Sequence, residues 1–381
     1  MGAPEPFQGA PDRRRPAALA SKPAGSTEEV PLVDDQRLSA RVVLGQGPAM
    51  TADLFDATQP LRIADQGCFF IPGRYTNDGR MAGQVFVQYQ VPANRTSPYP
   101  LIMIHGGGQI GANFLGTPDG RRGWSDYFVA TGFAVYVVDQ PGYGRSGNNR
   151  AYSPTPAQDA TLVAERHTAP EFHLTWPQST AHTQWPGHSI SGDSVFDQYY
   201  SAQTDVLLDT ASIESDMRDA GAKLLDRIGP SVLLGHSQGA RLAWSIGDAR
   251  PESTRAIVAV EPNGPPLYDV RSIGAPDWFE ESDLRRPWGI TCGPLTFSPP
   301  PADVSEMRFA RELEPNAPDL VRCWLQAEPA RQLVNLASIP ILIITGEASY
   351  HTPYDHGTSA FLRQAGGNWI AGLRRVEVIS S

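Results

Sequence analysis

A serine flanked by glycines in residues 235–239, Gly-His-Ser-Gln-Gly, constrains the fold of this chain more than any other feature. An apolar run at 232–234 leads into this segment, and a helix-forming run at 240–248 follows it. Glycine suits a turn in which the backbone is strained and a strand and a helix pass too closely for side chains. The pattern therefore predicts a strand-to-helix turn that lifts the Ser237 hydroxyl above a sheet as a candidate nucleophile. The alternative is an ordinary turn of small residues.

Short apolar runs alternate with helical stretches along most of the chain. Two strands joined by a turn at 77–79 are predicted to form an antiparallel hairpin. The predicted strands are 67–75, 81–91, 100–104, 133–138, 231–234, 256–260, 339–344 and 373–379, with a helix at 124–131. Wholly apolar strands suit a parallel sheet that is covered on both faces. The sequence thus predicts the α/β class, with a doubly wound, mostly parallel sheet that starts with an antiparallel hairpin.

The 381 residues are enough for one large α/β domain or two small ones. We expect a disordered tail at 1–40, which is rich in proline, and a single domain at 41–381. Two insertions, at about 148–225 and 263–338, are too long for simple crossovers between strands. Their many aromatic residues predict caps over the carboxyl edge of the sheet. The alternative is that they pack on the domain without touching a substrate.

Composition excludes several classes of protein. The net charge of −10 argues against a nucleic-acid binder. No stretch approaches the length of a membrane span, and residues 1–40 lack the apolar core of a secretory signal, so we expect a cytoplasmic protein. The three cysteines, Cys68, Cys292 and Cys323, are too scattered to predict a disulfide framework or a zinc site. The sequence implies no cofactor and no metal.

A second glycine-rich segment, His105-Gly106-Gly107-Gly108-Gln109, follows the predicted strand at 100–104. Glycines let backbone N–H groups approach an oxyanion closely. We predict that the Gly106–Gly108 loop and the N–H of Gln238 form an oxyanion hole, with His105 bracing the loop. A plain glycine-rich turn is the alternative. The segment 139–147 after the next strand is interpreted as a structural loop that braces the sheet edge.

These three motifs, in this order and spacing, resemble the α/β-hydrolase fold family over roughly residues 65–381. Within it, residues 117–124 and the Val260-Glu261-Pro262 segment resemble a small group of bacterial carboxylesterases with fungal relatives. The resemblance implies Glu261 as the acid of a catalytic triad. Most hydrolases of this fold place the acid after the next strand, where Glu347 stands, so Glu347 is the alternative. The resemblance also implies homodimerisation, which nothing in the periodicity indicates.

The base that would activate the serine is the main departure from the family pattern. In this fold a histidine follows the last strand, and no residue after the predicted strand at 373–379 matches it. The chain is truncated, or His351 or His356 serves instead, or the protein does not hydrolyse anything. His236 is expected to point away from the serine or to line the pocket, and it is not assigned as the base. The remaining histidines, His167, His173, His182 and His188, are interpreted as loop residues.

The leading hypothesis is a serine hydrolase of carboxylesterase type. It would cleave a small-molecule ester or lactone through an acyl-enzyme on Ser237, and the aromatic insertions suggest a bulky substrate from secondary metabolism. No nucleic acid or membrane is expected as a partner. The alternative is an impaired or truncated hydrolase-fold protein that only binds its ligand or catalyses a non-hydrolytic reaction.

Overall fold

The computed structural model describes residues 59–315, 317, 319–367 and 369–370. The strands of its central sheet are β1 Ile63–Ile71, β2 Val85–Pro92, β3 Leu101–Ile104, β4 Val135–Asp139, β5 Ser231–His236, β6 Thr254–Val260, β7 Ile341–Ile344 and β8 Trp369–Ile370. They lie in the order β1-β2-β4-β3-β5-β6-β7-β8. β1 pairs antiparallel with β2, and β2 with β4, whereas the other neighbours are parallel. The predicted fold class is confirmed. The strand predicted at 373–379 and the tail predicted at 1–40 lie outside the described residues.

The antiparallel start of the sheet is interrupted where the sequence predicts two continuous strands. β1 stops before Pro72, and Arg74–Tyr75 pairs with Met81–Ala82 as a separate ribbon before β2 begins. Proline cannot donate a ladder hydrogen bond. A Cβ at Gly73 would lie 1.9 Å from the carbonyl oxygen of Ala82, so the two chains meet there through bare backbone. The predicted hairpin is therefore present, but its pairing is divided into two antiparallel ladders.

Both faces of the sheet are covered by helices, which explains why its central strands are wholly apolar. The main helices are α1 Trp124–Ala130, α2 Thr210–Ile228, α3 Gln238–Ala249 and α4 Asp355–Gln364. All four residues of β3 are buried. Its Ile102 and Ile104 join a core cluster with residues of α2, α3 and α4, whereas Leu101 and Met103 join a second cluster with α1. Successive side chains of a strand thus fill opposite cores, as strand geometry requires.

A buried ion pair joins α2 and α3 behind the strand-to-helix turn. Arg241 Nε lies 3.2 Å from Glu214 Oε2, and each side chain is 3% exposed. The same carboxylate accepts hydrogen bonds from the backbone N–H groups of Cys292 at 3.1 Å and Gly293 at 2.8 Å. Buried charges are tolerated when they are paired and hydrogen-bonded. This carboxylate therefore ties the second insertion to the helices of the domain.

The two insertions contain short elements. The first holds the helices Ala160–Val163, Pro170–His173 and Ser194–Tyr200, a π-helix Ala164–Thr168, and the strands Pro154–Thr155 and Val206–Leu207, which pair with each other. The second holds the antiparallel strand pairs Leu267–Gly274 with Trp278–Arg286, Phe297–Ser298 with Gln332–Leu333, and Phe309–Arg311 with Trp324–Gln326. Single turns of 3-10 helix lie at Gly111–Phe114, Gly144–Ser146, Asn149–Tyr152, Pro177–Ala181, Pro251–Ser253, Val304–Glu306 and Leu336–Ser338.

None of the helices within the described residues has the length and apolar character needed to span a membrane.

Candidate active site

Ser237 occupies the turn between β5 and α3, as the sequence predicts. Its φ of 50° and ψ of −118° are strained for a residue with a side chain. Its backbone N–H donates to the carbonyl oxygen of Val260 at 2.9 Å, which holds the turn against β6. A Cβ at Gly239 would lie 2.2 Å from the carbonyl oxygen of Ile104, and one at Gly235 would lie 2.4 Å from that of Gly239. The two glycines are therefore required by close backbone contacts.

The glycine-rich loop after β3 lies against the serine turn. A Cβ at Gly106 would lie 3.4 Å from Ser237 Cβ, and one at Gly107 would lie 2.8 Å from Gln238 Oε1. Gly108 has a φ of +69°, which favours glycine. The structure thus brings Gly106, Gly107, Gly108 and Gln238 together beside Ser237. Their role as an oxyanion hole remains a prediction.

His105 is buried beneath this loop and holds it in place. Its Nε2 accepts a hydrogen bond from the backbone N–H of Gln140 at 3.0 Å, so its Nδ1 carries the proton and donates to the carbonyl oxygen of Gly106 at 2.7 Å. Burial lowers the pKa of His105 to about 4, which keeps the imidazole neutral. A neutral ring with both nitrogens engaged has no free site for a proton from Ser237. His105 is positioned to brace the loop, as expected.

The segment 139–147 makes the structural contacts that its sequence suggests. Asp139 Oδ1 accepts from the backbone N–H of Gly111 at 2.8 Å, and its Oδ2 lies 2.8 Å from Arg145 Nε. The Ser146 hydroxyl donates to the carbonyl oxygen of Asp139 at 2.6 Å and accepts from the N–H of Phe86 at 2.8 Å. These bonds connect the end of β4 to its neighbours.

Glu261, the first residue after β6, is the better placed of the two candidate acids. It has a φ of 49°, and its N–H donates to the carbonyl oxygen of Ile344 at 2.7 Å. Its Oε1 accepts from the backbone N–H of Gly346 at 3.2 Å, and its Oε2 lies 3.7 Å from His236 Nε2. Glu347 is exposed. Strain of this kind persists only where the surroundings enforce it, and it is concentrated at functional sites.

The charge of Glu261 is stabilised by its neighbours. Burial alone would raise the pKa of this carboxyl group, but His236, His351 and a hydrogen bond from Ser349 lower it to about 2. The carboxylate is therefore ionised near neutral pH. An ionised carboxylate can orient an imidazole and stabilise its cation.

His236 lines the cavity in front of the serine rather than pointing away from it. The cavity has a volume of about 60 Å³, and Ser237, His236 and the Gly106–Gly108 loop all border it. A Cβ at Gly106 would lie 3.2 Å from His236 Nδ1. One ring nitrogen thus faces the glycine loop and the other faces Glu261.

His167 also lines this cavity, which corrects its interpretation as a loop histidine. It lies on the π-helix Ala164–Thr168 of the first insertion. Such helical irregularities occur frequently at functional sites. Burial, followed by the neighbouring Arg166 guanidinium, lowers the pKa of His167 to about 3. No motif in the sequence marks this residue, because the insertion reaches the cavity only through its three-dimensional packing.

The two histidines considered as substitutes for the base lie elsewhere. His351 Nδ1 lies 3.2 Å from the carbonyl oxygen of Pro262 and 3.5 Å from Asp355 Oδ1. Burial would lower the pKa of His351, but Tyr350 and Asp355 raise it to about 10. A protonated imidazole cannot accept a proton. His356 Nε2 lies 3.1 Å from Glu312 Oε2, and neither His351 nor His356 lines the cavity.

The other histidines of the first insertion do not reach the cavity. His182 Nδ1 lies 2.8 Å from Glu171 Oε2. His173 lies on the short helix Pro170–His173, and His188 is exposed. Within the described residues, the group with the donor atoms and spacing of a metal site is Glu312, Cys323 and His356, which lies outside the cavity.

Comparisons with known proteins identify the family of this chain. A family model for the alpha/beta hydrolase fold matches residues 99–288. The chain is 39% identical over 298 residues to a protein named "Probable secreted lipase phiG" from Fungal sp. (strain ATCC 74256), and the match covers 78% of each protein. This protein therefore belongs to the α/β-hydrolase family.

The fold also matches a solved structure, the atomic-resolution structure of a novel bacterial esterase. The TM-score is 0.50 and the sequence identity 21%, and the match covers 83% of this chain and 87% of the esterase chain. At that identity the likeness supports the fold alone.

The expected cytoplasmic location is wrong. That expectation relied on the composition of residues 1–40, which lie outside the described part of the structure. The curated relative is named a secreted protein. A short stretch of sequence composition carries less weight than a match over most of two chains.

Proposed function

We propose that this protein is a serine hydrolase of carboxylesterase type, which cleaves an ester or lactone through an acyl-enzyme on Ser237. The observation that carries the proposal is the strained Ser237, which borders a cavity together with the Gly106–Gly108 loop. A serine held in this conformation presents its hydroxyl at the carboxyl edge of the sheet. The name of the fungal relative, a probable secreted lipase, supports ester hydrolysis.

The acylation step follows from these positions. Ser237 Oγ attacks the carbonyl carbon, and the carbonyl oxygen becomes an oxyanion. The N–H groups of Gln238 and of the Gly106–Gly108 loop donate hydrogen bonds to that oxygen. The alcohol then leaves with the proton that was taken from Ser237, and water releases the acid by the reverse sequence.

The proton from Ser237 requires a base. Among the described residues, His236 is the histidine that both borders the cavity and faces Glu261. We therefore propose that His236 is the general base among the residues that the structure describes. The low pKa of His167, about 3, makes it a poor proton acceptor. Glu261 would orient the His236 ring and stabilise its cation.

A fluorophosphonate probe, which reacts with activated serines, tests the nucleophile. We expect rapid labelling of the 381-residue chain and no labelling of Ser237→Ala. Failure of a well-folded protein to label would reject the hydrolase proposal and favour a binding protein on this fold.

The same probe tests the base. His236→Gln should slow labelling by at least about a hundredfold, the usual contribution of a general base. The opposite result is labelling of His236→Gln as fast as that of the wild type, with labelling abolished when Ser237→Ala is added to it. That result would show that another residue activates the serine. His188→Gln, at an exposed position of the first insertion, is the control.

The location and the substrate are also proposals. We propose that the protein acts outside the cell, as the name of its fungal relative states for that protein. Immunoblots of culture medium and washed cells would test this location. We further propose a substrate from secondary metabolism, which is supported by the aromatic composition of the insertions.

A further inference from the structure

We propose that Glu312, Cys323 and His356 form a zinc-binding site between the second insertion and the start of α4. The donor atoms of these three side chains lie within 4.8 Å of one another. They offer one carboxylate oxygen, one sulfur and one ring nitrogen, the donor types that zinc accepts. The site lies away from the cavity around Ser237, so it does not depend on the proposed esterase activity.

The backbone of the insertion positions two of the three ligands. The strands Phe309–Arg311 and Trp324–Gln326 pair antiparallel, and Glu312 and Cys323 form the next pair along this ribbon. The N–H of Glu312 donates to the carbonyl oxygen of Cys323 at 2.9 Å. The N–H of Cys323 donates to Glu312 Oε2 at 2.8 Å. Side chains on neighbouring positions of a ribbon are therefore held side by side before any metal arrives.

The third ligand comes from a different element. His356 is the second residue of α4, and its Nε2 lies 3.1 Å from Glu312 Oε2. Two atoms bound to one zinc at about 2.0–2.1 Å in tetrahedral geometry are separated by a similar distance. Its other ring nitrogen, Nδ1, is buried without a hydrogen-bond partner in the described part of the chain. The contact with Glu312 thus satisfies only one of the two ring nitrogens of His356.

Close packing brings the cysteine to the same point. Cys323 is 1% exposed, and a Cβ at Gly357 would lie 2.5 Å from its sulfur. Glycine at 357 therefore lets the thiol reach the first turn of α4. The sulfur lies 3.6 Å from the carbonyl oxygens of Val321 and Tyr354, contacts that are weak for a thiol donor.

The chemistry of the donor set selects the metal. Calcium and magnesium prefer oxygen ligands and do not take thiolates. A cysteine binds zinc as the thiolate, so zinc displaces the thiol proton on binding. The side chains of His356 and Glu312 are 15% and 14% exposed, which allows a water molecule to complete the four ligands. Such a site would fasten the insertion to α4.

The test uses the whole protein, stripped with a chelator and then desalted. We expect calorimetry to give one zinc per chain, with affinity that rises with pH as the thiol proton is displaced. Zinc should raise the melting temperature. Cobalt, a spectroscopic substitute for zinc, should give a thiolate-to-metal charge-transfer band.

Variants then assign the ligands. Cys323→Ser and His356→Gln should each weaken zinc binding at least about a hundredfold, since loss of outer partners of a metal site alone costs ten- to a hundredfold. Cys68→Ser, at an exposed cysteine, and His182→Gln, at a histidine that pairs with Glu171, are matched controls and should bind as the wild type does.

Two results would overturn the proposal. The first is the absence of stoichiometric zinc binding, or of the cobalt–thiolate band, in the wild-type protein. The cobalt experiment needs no substitution, so it decides the matter even if a variant fails to fold. The second is unchanged zinc affinity in folded Cys323→Ser and His356→Gln proteins.

Discussion

His236 and Glu261 face each other at the carboxyl ends of β5 and β6, with Nε2 and Oε2 3.7 Å apart. His236 is the last residue of β5, and Glu261 follows β6 directly. The two strands pair in parallel, with Val260 opposite His236. The ends of neighbouring parallel strands therefore bring an imidazole and a carboxylate together beside Ser237.

Glu261→Gln should reduce kcat/KM for an activated ester at least about a hundredfold while the fold is kept, because a neutral amide cannot stabilise an imidazolium ion. Glu347→Gln is the matched control, since Glu347 follows the next strand but is exposed. It should change kcat/KM less than about twofold. Steady-state kinetics and circular dichroism measure both variants. A larger loss in Glu347→Gln than in Glu261→Gln would make Glu347 the acid.

The lowered pKa of His167 predicts how the free energy of unfolding depends on pH. Its pKa is lowered from 6.5 to about 3 in the folded protein, mainly by burial. Between these values the unfolded chain binds a proton that the folded chain does not, so stability is lost as the pH falls through this window. In His167→Gln, the midpoint of urea unfolding should fall less between about pH 7.5 and about pH 4.5 than in the wild type. His188→Gln, at an exposed histidine, should behave as the wild type, and an equally steep fall in His167→Gln would refute the prediction.

The fold is predictable from sequence because its strongest signals are local. The buried parallel strands appear as short apolar runs, and the glycines around Ser237 mark a turn that few other residues can adopt. The first hairpin is predicted less well. Its interruption at Pro72 and Gly73 depends on how closely the chain passes Ala82, which periodicity does not reveal.

The candidate site is predictable only where one motif contains its residues. The Gly106–Gly108 loop and Ser237 each stand in a recognisable pattern, whereas family resemblance rather than spacing indicates Glu261. His167 reaches the cavity, and Glu312 and Cys323 reach His356, through packing of the two insertions. Contacts between residues so far apart in sequence leave no periodic pattern.

Gly239→Ala should be severely destabilising, because its new Cβ would lie 2.2 Å from the carbonyl oxygen of Ile104. Backbone cannot move aside as a flexible side chain can, so we expect a loss above about 3 kcal/mol. Gly116→Ala is the control, since the nearest atom to its new Cβ is 3.7 Å away. Thermal unfolding of both proteins provides the measurement. Equal melting temperatures for the two variants would show that the turn is looser than described.

The size of the cavity predicts selectivity for the acyl group, on the proposed esterase activity. The cavity offers about 60 Å³ to the centres of water molecules, which is room for a few waters or a short acyl chain, because one water needs about 10–15 Å³ of such space. We expect kcat/KM for p-nitrophenyl acetate to exceed that for the octanoate at least about tenfold. Val206 lines the cavity, so Val206→Ala should admit longer acyl chains. The ratio of kcat/KM for the acetate to kcat/KM for the octanoate should therefore fall. Val195→Ala, in the same insertion but outside the cavity, should leave the ratio unchanged, and a wild-type preference for the octanoate would contradict the prediction.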